Sequence, residues 1–293
     1  GILMSNILLE KLKILYGNYE IVEDLDSCLI LKLNIEEYLF FNKDTFETGK
    51  FSYIEKVKVY EDFIFKVKGG GKYGFIDKTG KVVIPLIYDY CHEFEDGLCY
   101  VKLNKKYGYI DKTGKEVIPL IYDDCGCFED GLSYVELNDK CGFIDKTGKE
   151  VIPLIYDFCY DFEDGLCRVE LNKKYGFIDR TGKEVVPLIY DICDGFEDGL
   201  CRVKLNKKYG FIDRTGKEVI PLIYDICDGF VDGLCSVKLN NKFGFIDMTG
   251  KVVIPFIYDY CDYFEEGLCR VELDGKFGFI DKTGKVVIPL IYD

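Results

Sequence analysis

Seven aspartates, Asp77, Asp111, Asp145, Asp179, Asp213, Asp247 and Asp281, stand in one repeated string, I-D-x-T-G. Carboxylates recurring at a fixed spacing could bind calcium or do acid–base work. A calcium loop, however, needs several acidic ligands at alternate positions followed by a bidentate glutamate, and these strings lack that order. Asp followed three residues later by Gly is instead the chemistry of a tight turn, in which the carboxylate accepts from the backbone just ahead of it. The pairs Glu95-Asp96, Glu129-Asp130, Glu163-Asp164 and Glu197-Asp198 each precede a glycine and read as solvated turn residues.

Fourteen cysteines suggest metal or disulfide chemistry until their positions are compared. Cys91, Cys125, Cys159, Cys193, Cys227 and Cys261 form one ladder, and Cys99, Cys167, Cys201, Cys235 and Cys269 a second, with Ser133 in its missing place. Each behaves as a small hydrophobe at a template position. Zinc sites favour close Cys/His pairs, whereas the near pair here is Cys125 and Cys127 and the single histidine is His92. No metal, cofactor or catalytic residue is therefore assigned. A nucleophile–base pair could be built only on His92, whose slot holds Gly126, Tyr160, Asp194, Asp228 and Asp262 in other copies, as expected of a loop variant. Gly69-Gly70-Gly71 lacks the following helix and Lys-Ser/Thr pair of a phosphate loop. The chain is expected not to be an enzyme. Many free thiols point to the cytoplasm, with a surface or secreted location as the alternative.

These residues are positioned by a longer pattern. YGYIDKTGKEVIPLIYD begins at Tyr107 and returns with small changes at Tyr73, Cys141, Tyr175, Tyr209, Phe243 and Phe277, each start 34 residues from the last. A fixed period of that size marks a tandem-repeat architecture. The run K-aromatic-G-aromatic-I-D-x-T-G-K, then V-I-P, then I-Y-D, then F-x-D-G-L resembles the WG (KWG) repeats of bacterial proteins. Tyr73, Tyr107, Cys141, Tyr175, Tyr209, Phe243 and Phe277 fill the family's tryptophan slot; a flat packing role survives that exchange, a role needing an indole N–H does not. The resemblance implies a β-rich module and no activity.

Within one copy, GLCRVELN (165–172) alternates, with Cys167, Val169 and Leu171 on one face and Leu166, Arg168 and Glu170 on the other. YGFID (175–179) and EVVPLIY (184–190) are apolar enough to be covered on both faces. Asn172-Lys173-Lys174 and Asp179-Arg180-Thr181-Gly182 supply two tight turns, making a three-stranded meander. All seven prolines fall in the third strand, which should be a sheet edge because proline cannot donate to a ladder. Full repeats start at 63, 97, 131, 165, 199, 233 and 267; residues 27–62 form a degenerate first repeat, with 50–57 as its third strand. Residues 1–26 hold a capping helix over 5–16, with Ser5 or Asn6 as N-cap, Leu8, Leu9, Leu12 and Leu15 as its stripe, and Gly17 as its stop. The fold class is all-β: eight three-stranded antiparallel units stacked face to face behind that helix. An open superhelical solenoid is favoured over a closed eight-bladed ring.

With 38 Lys and Arg against 52 Asp and Glu, the formal charge of −14 disfavours nucleic acid and anionic lipid as partners. No apolar run approaches the roughly 20 residues of a membrane span, and no signal peptide is visible. A monomer is expected, able to associate end to end through an uncapped last repeat. The leading function is a non-catalytic scaffold for a protein partner; a glycan-binding array using exposed rings is the alternative. Differences between copies nominate the binding face: Tyr100, Tyr134, Arg168, Arg202 and Arg270 in one strand slot, and His92, Tyr160, Asp194, Asp228 and Asp262 in the crossing loop. As surface positions, Tyr134, Arg168 and Arg202 should tolerate alanine.

Overall fold

The computed structural model describes residues 2–59 and 62–293, with side chains from Asn6 onward. It contains one helix, Ile2–Tyr16, followed by eight four-stranded antiparallel sheets in chain order. The chain divides into two compact units, residues 1–154 and 155–293. Among the described residues no helix is long and apolar enough to cross a membrane.

One sheet of the second unit shows the plan: Ile192–Glu197, Leu200–Leu205, Lys208–Asp213 and Glu218–Tyr224, each paired with the next. The last three are the expected meander. The first is an addition, drawn from the segment read as a crossing loop. It varies from two residues (Tyr90–Cys91) to seven (Tyr53–Val59). Short length and polar, glycine-bearing composition hide such a strand from pattern reading. In the leading sheet, the strand expected over 50–57 is split. Thr48–Phe51 closes that sheet and Tyr53–Val59 opens the next, with Ser52 as the break.

The core lies between sheets. Phe211, Ile220 and Tyr224 of one sheet pack on Cys227, Cys235, Val237 and Ile246 of the next, while Ile212 packs backward on Phe177, Val186 and Tyr190. Phe211 and Ile212 are neighbours in a strand, so their side chains leave by opposite faces and each sheet serves two cores. Burying each such residue stabilises the fold by about 1.5–3 kcal/mol, so an interface of seven outweighs any single turn. The third strand is covered less fully than its composition suggests. Ile220 and Tyr224 are buried, but Val219 and Ile223 remain exposed because this edge strand is sealed mainly through one face.

Turns and glycines follow from close approach. Asp145 Oδ1 accepts from the Thr147 amide (2.8 Å), the Thr147 hydroxyl (2.6 Å) and the Lys149 amide (3.1 Å), and these bonds hold its carboxyl below the usual range. The same three bonds form at Asp77, Asp111, Asp179, Asp213, Asp247 and Asp281. Asn206 and Lys207 both have positive φ (51° and 65°), the backbone of a type I′ hairpin. Gly70 and Gly71 take the same conformation (58° and 80°), which accounts for the glycine run. The prolines sit on edge strands as expected. In the tryptophan slot, Tyr209 lies half-buried with Lys204 Nζ 4.6 Å from its ring centre, a cross-strand cation–π pair.

The helix departs from expectation. It runs from Ile2 to Tyr16, so Asn6 lies inside it rather than capping it, and the Ser5 side chain is outside the described residues. Leu12 is buried with Leu8 and Leu9 beside it on the first sheet, and Gly17 ends the helix at φ 75°. Leu15 is exposed, and Tyr16, one i+4 step from Leu12, packs in its stead.

The repeated glycine after the tryptophan slot answers to sterics. A Cβ on Gly210 would sit 2.6 Å from the Ile220 carbonyl oxygen and 2.8 Å from Pro221, because the register shifts here and brings the proline strand's backbone over the glycine. Gly210→Ala should cost about 1–3 kcal/mol in chemical denaturation. Gly195→Ala, whose Cβ would meet nothing nearer than 4.0 Å, should cost far less. Equal costs would contradict the close-approach account.

Candidate functional site

The nominated residues come together as pairs. The strand slot and the crossing-loop slot eight residues before it come together at the leading edge of a sheet. His92 stacks on Tyr100 with ring centres 4.5 Å apart and planes 10° from parallel. The Arg168 guanidinium lies 3.8 Å over the Tyr160 ring. Arg202 Nε donates to Asp194 at 2.7 Å, and Arg270 Nε to Asp262 at 2.8 Å. Two repeats break the pattern: Tyr134 faces Gly126 and bonds Glu136 (2.8 Å), and Asp228 is exposed opposite a buried Ser236. Which residue occupies one slot therefore tracks the other, a contact visible in the sequence once the two are set side by side.

The arginines are more than surface decoration. Arg168 Nη1 donates to the Cys193 carbonyl (2.8 Å) and Arg202 Nη1 to the Cys227 carbonyl (2.5 Å), each in the following sheet. In the same slot Ser236 Oγ meets Cys261 Sγ at 3.0 Å. The expectation that Arg168 and Arg202 are plain surface positions is corrected on this ground: a long side chain on a wet strand face reaches across to the neighbouring sheet.

Successive loops bound two clefts in the second unit. One, of about 310 Å³, has Asp194, Asp198, Arg202 and Asp228 at its polar wall and Leu200, Phe211 and Phe230 as its apolar floor. The other, of about 280 Å³, is lined by Asp228, Leu234, Phe245, Tyr260, Asp262 and Tyr263. Both set carboxylates beside apolar side chains, exposed in the second cleft at Tyr260 and Tyr263, a combination suited to a ligand carrying positive charge beside aliphatic or aromatic groups.

The cysteine ladders are packing, and no disulfide occurs among the described residues. Burial pushes the Cys91, Cys125 and Cys269 thiols up to about 12, which leaves them poor nucleophiles. Cys201 Sγ lies 3.0 Å from the Asp194 carbonyl. In the equivalent slot Ser133 bonds the Gly126 carbonyl (2.9 Å), the partner the template repeats, and the Tyr109 hydroxyl (2.6 Å), which is particular to this copy. One other grouping escaped the sequence reading: His92 and Glu95 of one loop approach Cys127 of the next. Local spacing gives no sign of it because the residues are about one period apart.

Arg202→Ala should destabilise the protein by about 1–3 kcal/mol in equilibrium denaturation, since it removes charge-assisted bonds to Asp194 and to the Cys227 carbonyl. A loss under about 0.5 kcal/mol, usual for a plain surface site, would contradict the bridging role.

Comparison with known proteins follows the period. A family model described as a WG containing repeat matches residues 73–107, 107–141, 142–175, 175–209, 209–243, 243–277 and 277–293. No curated protein matches the chain. Similar solved structures include BamB from Moraxella catarrhalis, at 10% identity over 88% of this chain and 98% of that one, with a TM-score of 0.33. Hsv2 of Kluyveromyces lactis gives 8% identity over 90% and 98%, with a TM-score of 0.34. At these scores neither bears on function. Seven tandem matches running through residues 73–293 show that this chain belongs to the WG repeat family.

Proposed function

We propose that this repeat scaffold is non-catalytic and binds a protein partner through its crossing loops and the adjoining strand slot. The observation that carries the reading is the confinement of variation. Framework residues repeat almost unchanged, while the paired slots change identity from copy to copy and border the two clefts of the second unit. A surface of that kind presents Arg and Tyr, two residue types enriched at interface hot spots, on a rigid support. Its carboxylates and the chain's charge of −14 favour a partner segment with basic side chains beside apolar ones.

The glycan alternative needs an exposed ring at one position in every repeat. Tyr88, Tyr122, Tyr156, Tyr190, Tyr224 and Tyr258 are each 7% exposed or less. The exposed Tyr90 and Tyr260 share their slot with Asp124, Phe158, Ile192 and Ile226. These observations favour a protein partner over a repeating sugar platform.

Asp228 and Tyr263 are exposed and border the clefts, so replacing both by alanine should change stability by no more than about 0.5 kcal/mol. In pulldown followed by titration of the recovered partner, the double variant should bind about tenfold more weakly, the equivalent of 1.4 kcal/mol. Undiminished affinity, or glycan binding with no protein recovered, would overturn the proposal.

A further inference from the structure

The chain's single histidine and a cysteine that belongs to neither ladder meet where two successive loops of the first unit approach. An imidazole nitrogen of His92, a carboxylate oxygen of Glu95 and Sγ of Cys127 all lie within 4.8 Å of one another. We propose that these three side chains bind one divalent cation, and that their nitrogen, oxygen and sulfur donors fit Zn²⁺, with water completing a tetrahedron. The proposal does not depend on the scaffold reading.

The site is built on anchored backbone. Phe94, between His92 and Glu95, is buried in the core shared with the preceding sheet. Cys125 and Phe128 bracket Cys127 and are buried in the next core. The His92 ring is fixed by its parallel contact with Tyr100 and by the Tyr90 hydroxyl 3.3 Å from Nδ1, the kind of outer support that orients metal-binding imidazoles. His92 and Cys127 are half-buried and Glu95 is exposed, so an ion can enter from solvent. Bond lengths of about 2.0–2.3 Å to zinc require the donors to close by about 1 Å, within reach of side-chain rotation.

Charge favours a cation. The Glu95, Glu129 and Glu93 carboxylates all act electrostatically on the Cys127 sulfur. The carboxylates that oppose a thiolate attract a divalent ion. As the S–Zn bond forms, the S–H bond breaks and its proton passes to solvent. The donor set occurs once. The His92 slot is otherwise filled by Gly126, Tyr160, Asp194, Asp228 and Asp262, and the Cys127 slot by Glu93, Asp161, Gly195, Gly229 and Tyr263. Stoichiometry should therefore be one ion per chain despite fourteen cysteines.

Titration with Co²⁺ under a thiol-free reductant tests the site directly. The native chain should bind one equivalent with a thiolate-to-cobalt charge-transfer band that Zn²⁺ abolishes. Cys127→Ser should lose the band while keeping its thermal melting profile without metal. His92→Gln and Glu95→Gln should each weaken Co²⁺ binding by about tenfold or more. Absence of a stoichiometric complex, a band that survives in Cys127→Ser, or unchanged affinity in either other variant would overturn the assignment.

Discussion

Everything in this fold depends on two neighbouring sheets sharing one core. A four-stranded sheet of this composition has two apolar faces and cannot bury either alone. Phe211, Ile220 and Tyr224 become interior only because Cys227, Cys235, Val237 and Ile246 of the following sheet cover them. Tyr292 makes the point by contrast. With no following sheet described it is 55% exposed, while its equivalents Tyr224 and Tyr258 are at 3%. Stability is thus a property of interfaces between repeats, as a nearest-neighbour array requires.

Shared cores explain why the framework barely varies while the loops do. A core residue meets a partner one period away, so a change in one copy is felt in the next. Tyr109 and Ser133 show the coupling: a phenol stands where other copies have phenylalanine, and opposite it a hydroxyl stands where they have cysteine. The same constraint fixes the backbone. Asp191, which joins two sheets, pairs with Lys174 of the preceding one, and the Lys174 ammonium and the Asn206 amide of the next hairpin draw its carboxyl below the usual range. Loop side chains meet fewer such demands, which leaves them free to differ and to acquire contacts such as the His92, Glu95 and Cys127 grouping.

How much of this was legible in the sequence follows from range. Period, edge prolines, Asp-x-Thr-Gly turns and buried cysteine ladders are local or periodic signals and read directly. The added first strand was missed because Ile192–Glu197 carries aspartate, glycine and glutamate where a strand pattern would show alternation. Arg168 and Arg202 were misjudged because alternation places them on a wet face but is silent about the carbonyls they reach in the next sheet. Leu15 was placed on the helix's apolar stripe by composition, while geometry turns it outward in favour of Tyr16. In each case the missing term was a contact one repeat, or one element, away.

Site-resolved thiol labelling tests the shared core most directly. If neighbouring sheets seal the ladders, the native protein should label only at the half-buried Cys127 and Cys159, and all fourteen cysteines should label after denaturation. Rapid native labelling at Cys201, Cys227 or Cys235 would mean that the sheets do not cover one another, and would contradict the account.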